Sequence, residues 1–254
     1  MVAAATDLIA AALAQTGLIW LALIYLIAGV VRGFSGFGTA LIVVPVAGIF
    51  LGPLDILVMI TVTGLVSNFV MVPGAWRVAD RAEVGVLALA AALGVPLGLW
   101  LLAQIDATAI RWAVSIVGAL TVAALMSGWQ WRGRLGLSGL AGVGGAAGFV
   151  GGLTALTGPI AILFYLANAR NAAAVRANMV LFLGALDVLL AGNIWATGGL
   201  SADRVALGLV LCVPYVAGIT MGMALFDPSR ERLYRAVALI IVIAAMLSGL
   251  PIWE

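Results

Sequence analysis

Histidine is absent from this 254-residue chain, cysteine occurs once, and charged residues make up only 9% of it. Each shortage excludes something. A serine nucleophile needs an adjacent base, and without histidine the usual one is missing. The single cysteine, Cys212, lies in an apolar run, so neither an internal disulfide nor a cysteine metal site is available. Soluble domains carry roughly a quarter charged residues, and a chain that is 65% hydrophobic could not keep this composition in water. The longest polar stretch, around Asp227 to Arg235, is a loop rather than a domain. No G-x-x-x-x-G-K-[ST] run occurs, which removes ATP hydrolysis by a P-loop. The net charge of +2 reflects loop arginines and gives no argument for nucleic acid.

What the chain has instead is apolar runs, each near the roughly 20 residues needed to cross a hydrocarbon core. Cutting at charged or turn-rich points gives segments near 8–31, 34–51, 56–76, 84–104 and 108–131, then 135–150, 153–169, 177–197, 205–226 and 233–252. The first charged residue is Asp7 and the first basic one Arg32, so the first segment reads as a retained helix and not a signal peptide. The two sets resemble each other. GFSGFGTAL (33–41) matches GFVGGLTAL (148–156) at six of nine positions, and Val95-Pro96 matches Val213-Pro214. Asp106 and Arg111 match Asp227 and Arg232, and Ser127-Gly128 matches Ser248-Gly249. Four matches in the same order indicate an internal duplication.

Arginine placement decides the topology, because basic residues concentrate in cytoplasmic loops. If 8–51 and 135–169 are each out-and-back pairs, one side receives Arg32, Arg77, Arg81, Arg132, Arg134, Arg170, Arg176, Arg230, Arg232 and Arg235, and the other only Arg111 and Arg204. If each is a single crossing, the split is nearly even and Arg32 is stranded. The paired reading therefore predicts an all-α polytopic membrane protein of two inverted repeats, 1–131 and 132–254, with about five helical elements each. Both termini then face outward. Inverted repeats are an architecture of secondary transporters, with the site near the midplane.

The glycines set that site. The stretch 135–169 holds Gly136, Gly139, Gly142, Gly144, Gly145, Gly148, Gly151 and Gly152, and RGFSGFG (32–38) interrupts the first pair. Each is expected to be a re-entrant or broken pair whose turn reaches into the protein. Irregular backbone at that depth is tolerated only beside protein or water. The helix restarting after each turn offers N–H groups and a positive dipole end to an anion. Ser35, Thr39, Thr154 and Thr157 add hydroxyls, and Arg32 adds a permanent planar cation suited to oxyanions. Two plainer readings stand beside this one: glycine also serves close helix packing, and Arg32 also satisfies the orientation rule. Asp187, near the centre of 177–197, is a costly carboxylate that reads as a proton carrier or an ion-pair partner. Asn68 lies at nearly the equivalent depth in the first half. Asn178 and Asn193 read as caps or helix–helix bonds, and Asp55 and Asp106 as N-caps. Trp76, Trp129, Trp131, Trp195 and Trp253 near segment ends predict an aromatic belt.

The G-x-S-G-x-G run at Gly33 to Gly38, the following apolar stretch with Pro45, and the counterpart with Gly158-Pro159 make the chain similar to the TauE/SafE sulfite exporters along essentially its whole length. The resemblance implies movement of a small sulfur-containing oxyanion, sulfite or a sulfonate, across a bacterial inner membrane. It points to Gly33, Ser35, Gly36 and Gly38 in the first half and to Gly148, Gly151, Gly158 and Pro159 in the second. The copies differ: Val150 and Ala147 stand where that match places Ser35 and Arg32. With the residues read above, the expected substrate site comprises Arg32, Gly33, Ser35, Gly36, Gly38, Thr39, Asn68, Gly151, Gly152, Thr154, Thr157, Gly158 and Pro159, with Asp187 as the coupling residue. No cofactor or metal is implied. The partners are the anion and the lipid bilayer, without nucleic acid, and a homodimer is left open. Alternatives are an anion channel or a non-transporting scaffold. Gly33-Phe34-Ser35-Gly36 also has the form of an intramembrane serine protease, but that chemistry lacks its histidine here.

Overall fold

The computed structural model describes residues 2–127, 136–167, 172–225 and 231–249. Among them the chain forms helices and no strands. In order these are α1 (Val2–Leu13), α2 (Leu18–Ser35), α3 (Thr39–Ala47), α4 (Pro53–Ala75), α5 (Arg81–Leu102) and α6 (Ala107–Met126). The second series is α7 (Leu137–Thr154), α8 (Pro159–Ala167), α9 (Ala172–Ala196), α10 (Ala202–Ala224) and α11 (Glu231–Ser248). Seven of them, α2, α4, α5, α6, α7, α9 and α10, contain spans long and apolar enough to cross a membrane. The chain is a multi-pass helical membrane protein.

Two segment boundaries differ from the sequence reading. The run 8–31 is not one helix: a turn at Ala14–Gly17 separates α1 from α2, and α2 continues through Arg32 to Ser35. The glycine-rich stretch 136–152 does not contain the expected break. It lies within an unbroken α7, and the chain turns only after Thr154. Asp106 caps α6 by accepting the Ala109 N–H at 2.9 Å, as expected. Asp55 does not cap α4, whose N-cap is Gly52; instead its carboxylate pairs with Arg204 at 2.5 Å. Trp76 and Trp195 are exposed at the ends of α4 and α9. Trp129, Trp131, Trp253, Asp227 and the loop arginines Arg132, Arg134, Arg170 and Arg230 lie outside the described residues.

Small residues decide which helices pair. Helix α2 runs alongside α10 in the same direction: a Cβ on Gly29 would strike the Tyr215 carbonyl, and one on Gly33 the Ile219 carbonyl. Helix α5 runs alongside α7 in the same way, with Gly94 against Gly145 and Gly98 against Phe149, while Gly144, Gly148 and Gly152 abut Leu87, Ala91 and Val95. Close backbone approach through small residues is how membrane helices associate when lipid is as apolar as their side chains. Helices α4 and α9 cross antiparallel, each seating its polar residue on the other's glycine: Asp187 on Gly64 and Asn68 on Gly184.

Polar ties hold opposite ends. At one, the Arg204–Asp55 pair joins the starts of α10 and α4, and Arg204 also donates to the Gly199 carbonyl at 3.1 Å. At the other, Asn178 accepts the Asp80 N–H at 2.8 Å and donates to Glu83 Oε1 at 3.3 Å, joining the start of α9 to that of α5. Asn178 is thus the helix–helix bond expected of it, whereas Asn193 bonds back to the Leu189 carbonyl in its own helix. Helix α2 spans ~27 Å and α3 only ~14 Å at 1.5 Å per residue. Gly17, which opens α2, packs on the ring of Phe50, which follows α3, so this pair goes in and comes back out.

Candidate functional site

Helix α2 stops because the chain turns left-handed. Gly36 has φ 82° and Gly38 φ 100°, values that a side chain makes costly and glycine adopts freely. The Gly36 N–H donates to the Arg32 carbonyl at 2.8 Å and closes the helix. Ser35 Oγ donates back to the Val31 carbonyl (2.7 Å), lies 2.8 Å from the Phe37 carbonyl and accepts the Phe37 N–H at 3.3 Å. Its hydroxyl shapes the turn. Arg176, near the start of α9, donates to the Gly33 carbonyl at 2.5 Å and packs against Gly36.

The second break uses the same device. Ala155 has φ 60°, and its N–H donates to the Gly151 carbonyl at 2.9 Å. Thr154 Oγ1 donates to the Val150 carbonyl at 2.7 Å and accepts the Leu156 N–H at 3.2 Å. Pro159 then opens α8, where its missing N–H costs nothing. Gly36 and Ala155 stand 119 positions apart, whereas the best sequence match implied 115. The spacing of the breaks pairs Ser35 with Thr154, Arg32 with Gly151 and Asn68 with Asp187.

The two breaks meet. A Cβ on Gly158 would lie 3.9 Å from that of Phe37. Between them is a cavity of about 10 Å³, room for roughly one water and no more. Arg32, Gly38 and Thr39 line it from the first break, Thr157 and Gly158 from the second, and Gly64, Asp187 and Tyr215 from α4, α9 and α10. Ile60, Leu41 and Leu183 supply apolar wall.

Arg32 is 4% exposed, and its Nε and Nη2 are enclosed with no hydrogen-bond partner among the described residues. Guanidinium does not give up its proton, so the charge persists. Leaving a buried charge uncompensated costs several kcal/mol. Asp187, 3% exposed, lines the same cavity without forming an ion pair with Arg32; it takes a long bond of 3.4 Å from Asn68 Nδ2. The Tyr215 hydroxyl bonds Thr39 Oγ1 at 2.7 Å, and the ring stands edge-on to buried Tyr25 with centroids 5.5 Å apart.

Of the residues expected from sequence, Arg32, Gly38, Thr39, Thr157, Gly158 and Asp187 converge on the cavity. Ser35, Gly36, Thr154 and Pro159 form the turns behind it, and Asn68 touches it through Asp187. Gly33 and Gly152 face neighbouring helices, and Gly151 sits under Thr157. Tyr215 and Gly64 were not anticipated. Pro214 inside α10, next to a lone tyrosine in an apolar run, was the available signal for Tyr215.

Comparison with curated proteins and with solved structures finds no match. A family model does match, over residues 21–248, and its description is Sulfite exporter TauE/SafE. Since that match covers most of the chain, the protein belongs to the sulfite exporter TauE/SafE family.

Proposed function

We propose that this chain is a secondary transporter that carries a small sulfur-containing oxyanion, sulfite or a sulfonate, outward across a bacterial inner membrane. The reading rests on one observation above the rest: a buried, permanently charged Arg32 with free N–H groups where two helix breaks meet. An unpaired intramembrane cation is a functional group by default. Its forked donors match an oxyanion, and the Thr39, Thr157 and Tyr215 hydroxyls surround the same space. Family membership supports transport over catalysis.

In this reading residues 1–131 and 132–254 are inverted repeats. The exchange of partners, α2 with α10 and α5 with α7, and the antiparallel crossing of α4 and α9 support that arrangement. Both termini face outward. The cavity, too small for the anion, is the occluded state of a carrier. Asp187 carries the coupling proton, and an inside-negative potential favours export by about 2.3 kcal/mol per charge per 100 mV.

The test is purified protein in proteoliposomes given sulfite, sulfate, thiosulfate and a sulfonate in parallel. Saturable flux and counterflow of labelled anion are expected with at least one of them, and Arg32→Gln should fold but lose that flux. Undiminished transport by Arg32→Gln would end the assignment.

A further inference from the structure

Two charged side chains of opposite sign line the central cavity, Arg32 and Asp187, and no ion pair joins them. Buried opposite charges ordinarily pair, because each is costly alone. Here the scaffold fixes them to different helices. The Asp187 carboxylate lies on Gly64 of α4, where a Cβ would come within 2.5 Å of it, and Asn68 Nδ2 ties its Oδ2 to the same helix at 3.4 Å. Arg32 belongs to α2, whose backbone packs on α10 at Gly29 and Gly33.

The two sides have complementary vacancies in their hydrogen bonding. Arg32 Nε and Nη2 are donors without an acceptor, whereas Asn68 Oδ1 and Asp187 Oδ1 are acceptors without a donor among the described residues. An oxyanion on Arg32 fills the first set only, and it leaves the carboxylate as the uncompensated charge. For a plain anion, the proton assigned to Asp187 cancels that charge but brings one donor to two acceptors. An ammonium brings three donors, a positive charge and no acceptor. Leu41, Ile60 and Leu183 supply an apolar wall against which a short carbon chain can lie.

We propose that the substrate this site fits best is a zwitterion, a sulfonate joined by a short carbon chain to an ammonium, with the sulfonate on Arg32 and the ammonium on Asp187. This rests on the oxyanion reading of Arg32 and narrows it. The occluded cavity is smaller than any such molecule, so the two breaks separate to admit it, as they do for a plain anion. The test compares 2-aminoethanesulfonate with 2-hydroxyethanesulfonate, which differ by an ammonium in place of a hydroxyl. Their dissociation constants are measured by isothermal titration calorimetry on the full chain in lipid nanodiscs. The amine should bind about tenfold more tightly, since one charge-assisted hydrogen bond is worth that much. Asp187→Asn should abolish the preference and tighten the hydroxyl compound, which then meets no carboxylate. Asn68→Ala keeps the carboxylate but removes the second acceptor, and should narrow the preference. Equal binding in the unaltered protein, tighter binding of the hydroxyl compound, or a preference undiminished by Asp187→Asn would each overturn the zwitterion. Binding of neither compound would overturn it too, while sulfite flux that depends on Arg32 would leave the oxyanion reading intact.

Discussion

At the first break Ser35 bonds back to the Val31 carbonyl and takes the Phe37 N–H; at the second, Thr154 does the same with Val150 and Leu156. The backbone devices are equivalent, 119 positions apart. The charge is not: Arg32 precedes the first break by one turn, and the position 119 further on is Gly151. The helices that restart also differ, opening with Thr39 in one case and Pro159 in the other. Shape is therefore supplied twice and the cation once. In the proposed reading the anion is held from one side, while the other break contributes the Thr157 hydroxyl and backbone.

The sharpest way to break that contrast is to remove the cation. Losing two charge-assisted bonds of about 1.5–3 kcal/mol each should weaken anion binding more than a hundredfold, seen as loss of labelled-anion flux in Arg32→Gln. Arg32→Lys keeps the charge but not the planar fork, so its flux should fall in between. Equal flux in the Lys and Gln variants would show that geometry rather than charge is what Arg32 provides.

The next largest effect concerns the turn itself. Gly36→Val puts a branched side chain at φ 82° with its Cβ 3.0 Å from Arg176 Cγ and from the Arg176 carbonyl. The left-handed penalty of about 1–2 kcal/mol adds to overpacking of about 1–3 kcal/mol. Thermal unfolding in detergent should drop clearly, and flux with it. Smaller in size but more specific is Asp187→Asn: transport should persist with its dependence on pH flattened. A pH profile identical to that of the unaltered protein would remove the proton from Asp187.

The first break was legible because three glycines within Gly33–Gly38 interrupt an apolar run beside an arginine. The second was misplaced because glycine serves two purposes in a membrane helix. The density at 136–152 let α5 approach α7, and the actual turn came where the sequence has an alanine. That error also shifted the expected register between the halves: Asn68 and Asp187, read at only nearly equivalent depth, are 119 apart, as the breaks are. Tyr215 escaped because its partner Thr39 is 176 residues away and nothing local marks a hydroxyl pair. The split of 8–31 was available in Gln15-Thr16-Gly17.

Ala155 offers the finest comparison, since it does with a methyl group what Gly36 does without one. Holding alanine at φ 60° costs about 1–2 kcal/mol relative to a right-handed residue. Glycine would remove that cost but give back about 0.5–1 kcal/mol through the freedom of the unfolded chain. Ala155→Gly should therefore stabilise the protein by about 0.5–1 kcal/mol, a small rise in the thermal midpoint. Its more telling effect is on motion, because glycine also lets the turn leave the left-handed well easily. If the second break must flex while the anion passes, the glycine variant should be more stable and at least as fast. A protein that is more stable yet slower would mean that Ala155 is kept to hold this turn rigid, leaving Gly36 and Gly38 as the break that moves.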